Sequence, residues 1–227
     1  MDFQKLVEVY DELEKTASGN SMREILSTFL KKVPLEEIAT VSYLTLGRIT
    51  SEFEGVDLGM AEKSVLKAIA KAGAVELSIV SKIMQKKGDV GLTAEEVLQK
   101  KPRTLLPVDK LTIKDLIEKL HKIAQTSGSG SQDTKNNILV SLLQRTSAQG
   151  AKYLSRIVLG TLRMGVGNMT VLDALAITFT GEKKNKEILE TAYNICPDVG
   201  IIAETIAKKG LPALEKIEVH VGRPIKM

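Results

Sequence analysis

The chain has 227 residues, 43% of them hydrophobic, which is enough to bury a substantial core, and no run reaches the roughly 18 to 20 apolar residues of a membrane span. One cysteine, Cys196, excludes an intrachain disulfide, and His121 and His220 alone make no metal-ligand constellation. The net charge of +4 is uneven: residues 1–110 hold 16 Lys and Arg against 17 Asp and Glu, and residues 111–227 hold 16 against 11.

The predicted elements are helical nearly throughout. Phe3, Leu6, Val7, Tyr10 and Leu13 give the first helix its apolar face and mark the N-terminus as an amphipathic helix rather than a signal peptide. A break follows at Thr16 to Ser21, and further breaks fall at Lys86 to Gly91, Lys101 to Thr112 and Ser127 to Asp133, each rich in Gly, Ser, Pro or Asn. Ile113, Leu116, Ile117, Leu120 and Ile123 mark another helix, and Ile138, Leu139, Leu142 and Leu143 the next. These stripes are core, as is Cys196. The lysine runs Lys183, Lys184 and Lys186, and Lys208 and Lys209, read as solvated helix ends.

Order in the second half repeats order in the first. GMAEKSVLKAIA from Gly59 returns as GVGNMTVLDALA from Gly165, and DVGLTAEEV from Asp89 returns as DVGIIAETI from Asp198. Ser42 and Leu46-Gly47 match Ser155 and Leu159-Gly160 at an offset of 113, and Leu6, Leu13 and Thr16 match Leu116, Ile123 and Thr126 at 110. Shared glycines and Asp-Val-Gly are not helix-period residues, so chance amphipathic likeness does not explain them. The expectation is an all-α domain over 1–227 with two pseudo-symmetric helical repeats, about 1–110 and 111–220, joined at KKPRTLLPVDKLT.

Two segments carry candidate chemistry. In TSGSGSQDTKNNIL, from Thr126, Gly128 and Gly130 lack a Cβ, and a helix opens that Asp133 or Thr134 is expected to cap. Ser127, Ser129, Ser131 and Lys135 supplement amides that suit a phosphate. Without Gly-x-x-x-x-Gly-Lys-Ser/Thr it is no nucleotide loop, and a plain flexible capped loop accounts for it as well. In LGTLRMGVGNMTV, from Leu159, Gly160, Gly165 and Gly167 surround Arg163. That combination suits a minor groove, or equally a tight interhelical turn with its arginine in water. GDVGL and PDVGI add turns in which Asp caps and Gly permits close approach. With no Trp and 4% aromatics, a stacking platform for unpaired bases is not expected.

Together these segments resemble the N-terminal DNA-binding domain of ATP-dependent DNA ligases of the archaeal and eukaryotic replicative type. The resemblance rests on LGRITSEFEGVDLGMAEKSVLKAIA, GDVGLTAEEVL, TSGSGSQDTKNNILVSLL, AKYLSRIVLGTLRMGVGNMTVLDALA and GRPIK in order. It implies sequence-independent binding of nicked double-stranded DNA through the minor groove and backbone, in replication, repair and recombination. Gly160 and Arg163, with Gly165 and Gly167, would enter the groove, and Gly128, Ser129, Gly130, Ser131 and Lys135 would meet phosphates. Gly59, Asp89 and Gly91 would lie near the other strand.

Other implications concern the longer enzyme. Its adenylation and OB domains, ATP and Mg²⁺ lie outside this chain, which holds no Lys-x-Asp-Gly nucleophile; Lys87-Gly88-Asp89-Val90 departs from that motif. No catalytic residue, metal or cofactor is therefore assigned here. Thr161 stands where some members have a second arginine, and Leu105-Leu106 stand where clamp-docking members have an aromatic pair, which argues against a sliding-clamp partner. A monomeric, intracellular, cytoplasmic and nucleoid-associated protein without membrane contact is expected. The competing class is a helical scaffold for protein interactions, with TLLPV as its exposed segment and the glycine turns serving packing.

Overall fold

The computed structural model describes residues 1–99 and 109–218. The joint KKPRTLLPV, with the leucines that stand in place of a clamp-docking pair, and GRPIK lie outside the described residues. Among the described residues thirteen α-helices run in order: α1 (Phe3–Glu14), α2 (Gly19–Leu30), α3 (Ile38–Thr45), α4 (Glu62–Gly73), α5 (Leu77–Lys87), α6 (Val90–Gln99), α7 (Ile113–Gln125), α8 (Ser131–Gln144), α9 (Ala148–Val158), α10 (Asn168–Thr180), α11 (Lys186–Ile195), α12 (Val199–Lys209) and α13 (Leu211–Leu214). The fold is all-α. Its one extended pairing among the described residues is an antiparallel bridge between Asp2 and Thr112.

Local chemistry sets many of the boundaries. Ser18, Thr112, Ser147 and Asp198 accept hydrogen bonds from amides in the opening turns of α2, α7, α9 and α12. Each satisfies one amide that the helix itself leaves unpaired. At the other end, Gly88 and Gly181 adopt left-handed backbone after α5 and α10, and Ala74 does so after α4 at φ 52°.

The chain forms two compact units. Of the described residues, one contains 8–56 and 163–218 together with Met1, and the other 2–7, 57–99 and 109–162. In the first, α2 packs on α10 and α3 on α12; in the second, α8 packs on α4 and α9 on α6. By the sequence offsets α2 matches α8, α3 matches α9, α4 matches α10 and α6 matches α12. Both units therefore have one plan, with the second and third helices of one repeat laid against the fourth and sixth helices of the other. The repeat of the sequence and the compact unit of the structure are different divisions of the chain.

Both cores follow that plan. Leu26, Ile38, Leu44, Leu172, Leu175 and Ile202 are buried in the first unit, and Leu139, Leu154, Ile157, Leu66, Ile69 and Ala94 in the second. Burial of such side chains contributes about 1.5 to 3 kcal/mol each.

Candidate nucleic-acid interface

The Asp-Val-Gly turns join helices within each unit. In the second unit Asp89 Oδ1 accepts from the Leu92 amide at 2.7 Å and from Arg156 Nη2, on α9, at 3.0 Å. A Cβ on Gly91 would lie 2.7 Å from both Arg156 Nε and the Lys152 carbonyl oxygen. In the first unit Asp198 Oδ1 accepts from the Ile201 amide at 3.1 Å and from the hydroxyl of Tyr43, on α3. A Cβ on Gly200 would lie 2.2 Å from Tyr43 Cζ. Tyr43 and Arg156 are 113 apart, the offset already fixed by Ser42 and Ser155.

Asp89 and Gly91 are thus committed to holding α6 on α9. An aspartate already paired with arginine has nothing to offer a phosphate, and Gly91 is buried. The resemblance puts these two residues near the other strand; in the structure their side-chain and backbone surfaces meet α9.

The serine-glycine loop is exposed from Ser127 to Gly130. Gly128 (φ 89°) and Gly130 (φ 76°) are left-handed, and an added Cβ at either meets no heavy atom within 4 Å. The loop is therefore open to the approach of a large anion. α8 starts at Ser131 with Gly130 as the flanking residue and no side-chain cap. Asp133 lies in the first turn and Thr134 Oγ1 faces the Gly130 carbonyl at 3.4 Å, so neither performs the capping expected of it.

Lys135 departs from expectation too. It is 6% exposed, and its Nζ donates to the Leu58 carbonyl at 2.8 Å, directly beneath Gly59. A Cβ on Gly59 would meet that Nζ at 2.7 Å. Gly59 (φ 60°) donates its N–H to Asp57 Oδ1 at 2.9 Å, and its carbonyl accepts from Gln132 Nε2 at 3.4 Å. The opening of α4 is held to the opening of α8 by these bonds.

The first unit builds the same corner from different residues. Gly165 (φ 70°) sits over Met22, with an added Cβ 3.2 Å from Met22 Cε. Met22 and Lys135 are 113 apart, and Gly59 and Gly165 are 106 apart. Arg163 stands where Asp57 stands in the other copy, and it is exposed. A guanidinium has no acceptor, so it cannot occupy the glycine amide as Asp57 does. Gly167, exposed, flanks α10 with no side-chain cap, and Asn168 donates to Tyr193 Oη at 2.8 Å. Arg23 pairs with Asp173 and donates to Asn20 Oδ1 at 3.0 Å, tying α2 to α10.

Gly160 (φ 63°) closes α9 in the second unit. Its N–H donates to the Ile157 carbonyl at 3.0 Å, and the Thr161 amide to the Arg156 carbonyl at 2.8 Å. Gly47 and Arg48 close α3 in the same way, on Leu44 and Tyr43. Gly160 is exposed, with open space above it.

The sequence pattern described as DNA ligase N terminus matches residues 2–176, which spans both glycine turns and the serine-glycine loop. The chain belongs to that family. It is 42% identical to DNA ligase 2 of Thermofilum pendens over 232 residues, covering 99% of this chain and 39% of that protein. It is 38% identical to the DNA ligase of Nitrosopumilus maritimus and 38% to a probable DNA ligase of Persephonella marina, in each case over 226 residues, 100% of this chain and 38% of the relative. The chain therefore spans about two fifths of the length of the curated relatives it matches.

What this DNA ligase N terminus offers is backbone and positive charge at helix openings. Among the described residues no group of three or more His, Cys, Asp or Glu side chains could hold a metal ion. Among the same residues no helix is long and apolar enough to cross a membrane. Cys196 is buried, as its reading as a core residue requires. The residues missed by inspection of the sequence are Arg156, Tyr43, Met22, Arg23 and Asp57. Extending the 113 offset one residue past Ser42, and back through the serine-glycine loop, pairs the first three.

Proposed function

We propose that this chain binds double-stranded DNA without reading its sequence, at nicks, through the minor groove and the phosphate backbone. It does so as the DNA-binding part of a longer ATP-dependent DNA ligase of replication and repair. The observation that carries the reading is in the first unit: exposed Arg163 stands two residues before left-handed Gly165 and just ahead of α10, whose opening no side chain caps. Such backbone can approach a phosphate strand closely, and uncapped amides with a helix dipole favour the anion. A narrow minor groove attracts arginine through its negative potential.

Within this reading Gly160, Arg163, Gly165 and Gly167 serve the groove, and Gly128, Ser129, Gly130 and Ser131 the phosphates. Lys135 and Gly59 support the contact from within, and Asp89 and Gly91 hold the scaffold. Adenylation and OB domains of the same polypeptide would supply ATP and Mg²⁺ chemistry. The domain works as a monomer inside the cell, on nucleoid DNA.

Titration of a labelled nicked duplex at several salt concentrations tests the proposal. Affinity should fall linearly on a log-log plot with a slope near 0.9 per phosphate contact. Arg163→Ala should weaken binding to all duplex sequences alike by about 1 to 3 kcal/mol. Binding that is absent at low salt would sink the reading and leave the protein-interaction scaffold.

A further inference from the structure

Lys135 carries a charge that the fold buries without an opposite charge. Among the described residues no carboxylate lies in ion-pair range of its ammonium, whose partner is the Leu58 carbonyl. A buried ammonium is costly unless well compensated, and a methionine fills the same corner in the other copy. Packing alone therefore does not require a lysine at this position. Directly above the ammonium is Gly59, an exposed turn flanked by the carboxylates of Asp57 and Glu62, which oppose a phosphate, and by the exposed ammonium of Lys63, which favours one.

We propose that Lys135 is a positioning residue for a second backbone contact at the Gly59 turn. It fixes the Leu58 carbonyl and offsets Asp57 and Glu62 from beneath, so that a phosphodiester can approach the opening of α4. Each copy then has a cation within its glycine corner, and the second unit has Lys63 exposed on α4 besides. In the first unit the corner cation is Arg163 on the surface, two residues before the glycine that sits over apolar Met22; in the second it is Lys135 inside, under a glycine that leaves room for it. The absence of a Cβ at Gly59 gives the ammonium its place and keeps the charge within a few ångströms of the surface. This inference rests on the duplex-binding reading above.

Lys135→Met installs the residue that the other copy uses, and Lys135→Gln keeps a donor for Leu58 while removing the charge. Both should melt cooperatively and bind a labelled nicked duplex about 5-fold more weakly at low salt, the size expected of one charge acting through a partly screened path. Because the effect is electrostatic, the ratio to the parent should shrink towards one as salt rises through about 0.3 M. A variant that binds like the parent at low salt, a loss that stays constant with salt, or unfolding of both variants would each overturn the proposal. Arg163→Ala measured alongside separates the two readings. If it weakens binding and the Lys135 variants do not, only the present inference fails; if it too is without effect, the duplex reading itself fails.

Discussion

Gly200→Ala tests whether the Asp-Val-Gly turns are joints. The new Cβ would lie 2.2 Å from Tyr43 Cζ, 2.3 Å from its hydroxyl oxygen and 2.6 Å from Cε2, where ordinary contact begins near 3.4 Å. The ring must retreat by about 1 Å, and overpacking of this kind costs about 1 to 3 kcal/mol. Retreat also pulls the hydroxyl from Asp198, which is 3% exposed. Losing a hydrogen bond to an ionised group costs a further 1.5 to 3 kcal/mol or so. Alanine returns about 1 kcal/mol of helix propensity within α12. The net loss is about 1.5 to 5 kcal/mol, or on the order of 3 to 20 °C in Tm for a chain of this size. Urea and thermal melts followed by circular dichroism measure it. Gly128→Ala is the control, because its Cβ meets nothing within 4 Å and only the backbone cost at φ 89°, about 1 kcal/mol, remains. A Gly200→Ala protein within about 0.5 kcal/mol of the parent would refute the joint, since surface-like substitutions fall in that range.

Ala74→Gly relieves the left-handed backbone after α4, and urea melts should show a gain of up to about 1 kcal/mol. Asp89→Asn keeps an acceptor for the Leu92 amide but removes the charge facing Arg156, so stability should fall by about 1 to 2 kcal/mol; an unchanged denaturation midpoint would contradict the ionic joint. The carboxyl of Asp115 is held below the ordinary aspartate range, chiefly by the hydrogen bond from Arg145; partial burial opposes this and Thr112 adds to it. Because the folded form holds its proton less tightly than the unfolded chain, this contribution to stability is present above about pH 3.9. It is lost as pH falls through the depressed folded value. In carbon-detected NMR titrations, Arg145→Gln should raise the Asp115 midpoint towards that of a free side chain.

The periodic helices were legible because their apolar residues recur at three and four spacing, and α1 and α7 show this in Phe3 to Leu13 and Ile113 to Ile123. The paired Asp-Val-Gly turns were legible as equivalents, since Asp89 and Asp198 cap their helices alike. Their real partners were not, because Arg156 and Tyr43 differ in chemistry while sharing one place. Lys135 read as a surface residue amid Gln132, Asp133 and Asn136, and its burial is imposed by the Gly59 turn packed on it. Exchange of helices between repeats leaves no local mark at all. Each helix has an apolar face, and nothing in α3 or α6 says which repeat supplies the surface it meets.

That exchange has a consequence for what half of this chain could do by itself. A polypeptide ending after α6 would carry the surface of α4 without α8, and that of α6 without α9. Two such halves could bury those surfaces only by laying α2 and α3 of one against α4 and α6 of the other, as in a swapped dimer, at a population set by their concentration. Joined in one chain, each half meets its complement at the fixed effective concentration of a tether. Fusion thus turns a dilution-sensitive association into a folding step. It also leaves the two glycine turns free to differ, one with Arg163 on the surface and the other with Lys135 beneath it.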